Sequence, residues 1–210
     1  MKQLANIISY LFHPLLITTY GCIIIFFGIT NSMFFVFTPL KLKFAIVATV
    51  FAFTFLMPLL NLLILVKLNY VSSYMAENRK ERTFPYLATA LCYFGLFYLI
   101  YEFPIWPTVK LFVLVGAIGI LLTAIINLWW QISAHMVAIG GMLGVVIALC
   151  VFMQIPLLEF ISLIILISGL IGFARLYLKA HTSSQVYAGF FIGIVVSLSL
   201  FSLAHFINIV

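Results

Sequence analysis

Between two long apolar runs, the stretch from Ala174 to Gln185 packs together Arg175, Lys179 and His181. Ionisable groups at membrane depth or at the end of a span are costly and by default mark a functional site. Arg175 and His181 are six residues apart, so on one continuous helix they would lie about 120° off a common face. A turn must therefore intervene, at Ala180, with Arg175 ending one helix and His181 opening the next. Thr182, Ser183 and Ser184 are N-cap types, and the free amides of a helix start attract phosphate. Gln185, four residues past His181, shares its face one turn along. It can accept a hydrogen bond from one ring nitrogen and leave the other free. An oriented imidazole facing a phosphate held by arginines is what nucleophilic catalysis requires.

Two further polar stations accompany this one. Arg79, Lys80 and Arg82 close a polar loop over 69–82, and Ser133 and His135 follow Trp129 and Trp130. Two spans separate the first station from the second and two more separate the second from the third, so all three face the same side of the membrane. Together they form a cationic pocket with two imidazoles. Arginine's planar fork of donors matches phosphate oxygens, and several cations can wrap one tetrahedral dianion. His135 is placed to protonate a leaving alcohol. His13 and His205, alone in apolar runs, are read as packed or hydrogen-bonded residues.

The elements that must position these groups are membrane spans. Hydrophobic residues make up 66% of the 210 and charged residues 7%, with a mean hydropathy of +1.33; soluble domains carry about 25% charge. Windows of about 20 apolar residues predict spans near 6–29, 43–66, 85–101, 108–129, 134–153, 157–178 and 185–208. The fold expected is all-α, a polytopic integral membrane bundle of six to seven transmembrane helices. It forms one domain over 1–210, with an N-terminal helix pair at 6–66 and a motif-bearing core at about 75–195. Pro14 and Pro58 are kinks within spans. Gly140 with Gly144, and Gly189 with Gly193, let helices approach closely. Cys22, Cys92 and Cys150 lie in apolar runs and support neither a disulfide nor a metal knuckle.

The chain contains no Asp, and its carboxylates are Glu77, Glu81, Glu102 and Glu159. This disfavours enzymes that hold Mg²⁺ with aspartates and those that use an aspartyl nucleophile. Glu77 and Glu81 are read as charge partners of the neighbouring cations. Ten cations against four acids come with no nucleic-acid motif, so they are read as serving topology, membrane lipid headgroups or an anionic substrate.

Arg175-x5-His181 resembles the third motif of the type 2 phosphatidic-acid phosphatase superfamily, which reads Ser-Arg, five residues, His, three residues, Asp. Ser133-Ala134-His135 looks like the second motif, Pro-Ser-Gly-His, and the segment from Arg79 to Pro85 like a degraded first motif, Lys, six residues, Arg-Pro. The resemblance covers roughly residues 75–195. It implies a membrane lipid phosphatase that needs neither metal nor cofactor. In that scheme His181 is the nucleophile that becomes phosphohistidine and His135 is the general acid. Arg79, Lys80, Arg82, Ser133 and Arg175 hold phosphate. The substrate is a phosphomonoester or diphosphate on a lipid, such as phosphatidic acid, phosphatidylglycerol phosphate or polyprenyl diphosphate. The chain departs from the pattern at Ala174, at the missing Arg-Pro pair, and at Gln185, which stands where the family has the Asp that orients the nucleophile. A Gln can fix a tautomer but does not stabilise an imidazolium by charge, so a lipid-phosphate-binding or transport protein that has lost catalysis is the alternative. The resemblance implies a cell (inner) membrane location with an extracytoplasmic site.

Overall fold

The computed structural model describes residues 1–29, 36–72 and 79–209. Within them the chain is an all-α bundle whose long apolar helices have the length and composition of membrane spans. The helices are α1 (Lys2–Leu11), α2 (Pro14–Ile23), α3 (Leu40–Phe51), α4 (Met57–Lys67), α5 (Arg79–Tyr101), α6 (Pro107–Asn127), α7 (Ala134–Phe152), α8 (Leu158–Tyr177) and α9 (Ser183–Phe206). Five of them, α5 to α9, are long enough to cross alone, and α3 and α4 join into a sixth span, Leu40–Lys67. The pair α1 and α2 makes a seventh if it is counted as one broken span.

The two prolines read as kinks fall at a break, for Pro14, and at a widened turn in a continuous span, for Pro58. Pro14 opens α2 after a bend of 57° from α1. Pro58 follows a π turn at Ala52–Leu56 that links α3 to α4. A proline ring clashes with the carbonyl four residues back, and a widened turn accommodates it. α2 likewise widens into a π turn over Ile24–Gly28. The Lys43 ammonium donates to the Phe26 carbonyl there at 3.0 Å, which accounts for a lysine that is almost fully buried.

α7 is the centre of the bundle, buried along most of its length. It packs most closely on α9, and the glycines are the reason. A Cβ on Gly140 would run into the main-chain carbonyl of Phe190, one on Gly189 would lie 2.8 Å from the Ser133 oxygen, and one on Gly144 would lie 2.6 Å from the Ser197 Cβ. The Ser197 hydroxyl donates across the same crossing to the Gly141 carbonyl at 2.7 Å. Around this core α5 lies along α6, α2 packs on α7, and α1 packs on α8. Helices α1 and α2 thus pack directly against the motif-bearing helices.

The start of α5 differs from expectation. The sequence predicts a span from about 85, with Arg79 to Arg82 in a loop; the helix begins at Arg79 and runs through Pro85. The side-chain amide of Asn127, at the end of α6, donates to the Arg79 carbonyl at 2.8 Å and to the Thr83 hydroxyl at 3.1 Å, tying this first turn to its neighbour. Glu77 lies outside the described residues. Glu81 accepts from the Ser72 amide at 3.0 Å and from its hydroxyl at 2.7 Å.

Candidate functional site

A cavity of about 760 Å³ opens where α5 and α7 start and α8 ends. On α5 its wall runs from Arg82 past Tyr86 and Thr89 to Tyr93, about 16 Å at 1.5 Å per residue. Its mouth is cationic, and its inner wall is mostly apolar, with Phe112, Val115, Gly116 and Met142, and carries the hydroxyls of Thr18, Thr89, Tyr93 and Thr123.

His181 is held by two helix caps placed back to back. α8 ends in a Schellman motif: the Ala180 amide reaches the Arg175 carbonyl at 3.1 Å, and the Lys179 amide reaches that of Leu176 at 2.9 Å. The left-handed residue is Lys179, with φ of 53°, so the turn pivots there rather than at Ala180. α9 then opens with a capping box, in which the Thr182 hydroxyl accepts from the Gln185 amide and the Gln185 side-chain oxygen accepts from the Thr182 amide at 3.0 Å. His181, between the two caps, is only 8% exposed.

The ring of His181 donates from Nδ1 to the Gln131 carbonyl at 3.2 Å. A carbonyl has no proton to offer, so Nδ1 keeps its hydrogen and, in the neutral ring, Nε2 carries the lone pair. Burial first, then the Arg175 and Arg82 charges, push this imidazole down to about 4 against the weaker opposing pull of the Gln131 carbonyl and the Gln185 side chain. It is neutral at pH 7, as a nucleophile must be.

His135, in the first turn of α7, donates from Nε2 to the Ser9 carbonyl at 3.1 Å. Arg175 donates from Nη1 to the Ser9 hydroxyl at 3.3 Å, while its Nε is buried without a partner among the described residues. Arg82 hydrogen-bonds the hydroxyl of Tyr86 one turn further along α5.

His135, His181, Arg82 and Arg175 therefore meet on one cavity wall, joined by Lys179. The other expected groups lie elsewhere. Arg79 donates to the carbonyls of Asn127 and Leu128, satisfying the C-terminus of α6. Lys80 is exposed and off the cavity wall. Ser133 is fully buried at the N-cap of α7, its hydroxyl unpartnered among the described residues. Gln185 lies off the cavity wall: its side-chain oxygen is engaged in the capping box and also bears on the His181 ring, whose Nδ1 donates to the Gln131 carbonyl.

Sequence reasoning missed the contribution of α1 and of the break before α2. His13 is packed, as expected, but against His135, with ring centroids 5.7 Å apart and edge to face, and it lines the cavity with Ser9. The signal was the His13-Pro14 pair, which breaks an otherwise apolar run. His205, at the other end of the bundle, packs against Phe152.

Among the described residues no group of three or more His, Cys, Asp and Glu side chains is placed to hold a metal ion. Compared with protein-family models, curated proteins and solved structures, the chain matches none.

Proposed function

We propose that this chain is a membrane phosphatase that removes phosphate from a lipid phosphomonoester or diphosphate without a metal, through a phosphohistidine. One observation carries the reading: a neutral, oriented imidazole and two arginines share the mouth of a cavity whose inner wall is mostly apolar. Arg82 and Arg175 hold the phosphoryl oxygens while the apolar chain of the lipid enters the bundle. His135 first takes the acidic proton of the bound lipid phosphate on Nδ1; the His181 Nε2 lone pair then attacks phosphorus, the bond to the leaving oxygen breaks, and that oxygen takes the proton from His135. A water then gives a proton to His135 and attacks the phosphohistidine, freeing His181, and inorganic phosphate leaves with that proton. The Nδ1–H of His181 stays on the Gln131 carbonyl throughout.

The resemblance of the Arg175 to His181 spacing to the lipid phosphatase motif supports the same reading and an extracytoplasmic mouth in the cell membrane. Outside the site, Lys2 and Lys67 on the mouth side against Lys41, Lys43 and Lys110 opposite agree with that orientation under the positive-inside rule. The second reading, a binding or transport protein, is favoured by Gln185, whose side chain caps α9 and brings no charge to His181.

The deciding experiment gives purified protein in detergent, with chelator present, phosphatidic acid, phosphatidylglycerol phosphate or polyprenyl diphosphate. Phosphate release that is lost in His181→Asn, with a trapped acid-labile phosphoprotein, is expected. Binding without release leaves the binding protein, and release that requires added Mg²⁺ refutes the mechanism.

A further inference from the structure

The break at Pro14 frees a backbone acceptor. In an unbroken helix the Ser9 carbonyl would take the amide of His13. Pro14 offers no N–H to the Tyr10 carbonyl, and the residue before a proline is pushed out of helical geometry. His13 accordingly sits at φ −60°, ψ 136°, and Phe12 before it has already left helical geometry at φ −102°, ψ 43°, which turns the His13 amide to Tyr10 at 3.3 Å. The Ser9 carbonyl is left for the Nε2–H of His135 at 3.1 Å. The same residue's hydroxyl accepts from Arg175 at 3.3 Å. Ser9 is 7% exposed, so water does not compete for either bond.

We infer that Ser9 is a positioning residue of this site, acting on two helices at once. Its carbonyl, released by the Pro14 break, fixes His135 with hydrogen on Nε2 and the lone pair on Nδ1. Its hydroxyl holds the Arg175 guanidinium at the cavity mouth. The role rests on the phosphatase reading for what the site does, and on the hydrogen bonds alone for what Ser9 does. When His135 takes up a second proton, that proton goes to Nδ1 and is the one passed to the leaving oxygen. The Ser9 carbonyl keeps the other and steadies the imidazolium. His13, edge-on to His135, limits rotation of the same ring.

The test has two arms. Nitrogen NMR of histidine-labelled protein in detergent, with signals assigned through His135→Gln and His181→Gln, reads the tautomers directly. The Nε2–H form is expected at His135 and the Nδ1–H form at His181. In the second arm, calorimetry with inorganic phosphate compares the wild type with Ser9→Ala and Ser9→Thr. Loss of a hydrogen bond to a charged group should weaken binding about tenfold in Ser9→Ala, and the hydroxyl of Ser9→Thr should restore it; a role in packing alone would not show that rescue. An Nδ1–H tautomer at His135, or wild-type phosphate affinity in Ser9→Ala, overturns the inference. A wild type that neither binds nor releases phosphate removes the proposed function instead, and the tautomer then decides on Ser9 alone.

Discussion

The Nδ1–H of His181 donates to the main-chain carbonyl of Gln131 across 3.2 Å, so a peptide group does what a carboxylate side chain would otherwise do for this ring. The choice has an electrostatic consequence. A carboxylate would hold the ring's pKa up, whereas a neutral carbonyl leaves burial and two arginines to push it down to about 4.

Stability should therefore fall in acid, with a definite sign and window. His181 takes up its proton near 4 when folded and near 6.5 when unfolded. Between those values the unfolded chain binds more protons, so stability rises with pH across that window and levels off outside it. The full span is on the order of 3 kcal/mol. Thermal unfolding in detergent of wild type and His181→Gln, compared from pH 4 to 7, should show the difference narrowing or reversing toward pH 4. Added phosphate should flatten the dependence by offsetting the Arg82 and Arg175 charges. A constant difference across the range would mean that the buried ring does not titrate in this way.

Gln185 offers a way to restore the missing charge without losing the cap. Gln185→Glu retains a capping-box residue at the third position of α9 and brings a carboxylate toward His181, so the His181 pKa should move up in an NMR titration. Gln185→Leu should leave it low and cost about 1 kcal/mol through the lost cap. If phosphate release is confirmed, Gln185→Glu should raise it, because a charged partner stabilises the developing imidazolium. An unchanged His181 titration in Gln185→Glu would show that this side chain does not sense the ring.

The spans were legible because apolar length is a local property, and so was the turn that sets Arg175 apart from His181. What escaped was whatever depends on backbone groups or on distant packing. The acceptors for both imidazoles are carbonyls, of Gln131 and Ser9, and a carbonyl is identical in every residue. Arg79 and Arg82 read alike in sequence, yet they point to different places on the first turn of α5. The first answers the open carbonyls of α6 and the second lines the cavity. Pro14 announced a bend, but its bearing on His135 depends on α1 packing beside α8, which no local pattern encodes.

That division of labour between neighbouring arginines is testable. Arg79→Ala removes the donors to Asn127 and Leu128 and should lower stability by about 1–3 kcal/mol, with little change in phosphate affinity. Arg82→Ala and Arg175→Ala should do the reverse, weakening phosphate binding more than they shift the melting temperature. Calorimetry and thermal unfolding on the same three proteins separate the two roles. Loss of phosphate affinity in Arg79→Ala at wild-type stability would return Arg79 to the site.

The glycines at the crossing of α7 and α9 should respond to a single methyl according to what it meets. In Gly140→Ala the new Cβ collides with the Phe190 main chain, and in Gly189→Ala it lies 2.8 Å from the Ser133 oxygen. Neither neighbour is a flexible side chain that could swing aside, so the helices must part. Overpacking of this kind costs about 1–3 kcal/mol, and Gly140→Leu or Gly189→Leu should cost more. Gly169, on α8, has nothing within 4 Å of its would-be Cβ. There the better helix propensity of alanine is left unopposed, and Gly169→Ala should be neutral or stabilising by up to about 1 kcal/mol. Because Ser133 and His135 lie at the start of α7, Gly189→Ala should also disturb the His135 NMR signals, whereas Gly169→Ala should leave them in place. Equal melting temperatures for Gly140→Ala, Gly189→Ala and Gly169→Ala would mean that α7 and α9 do not meet at this distance.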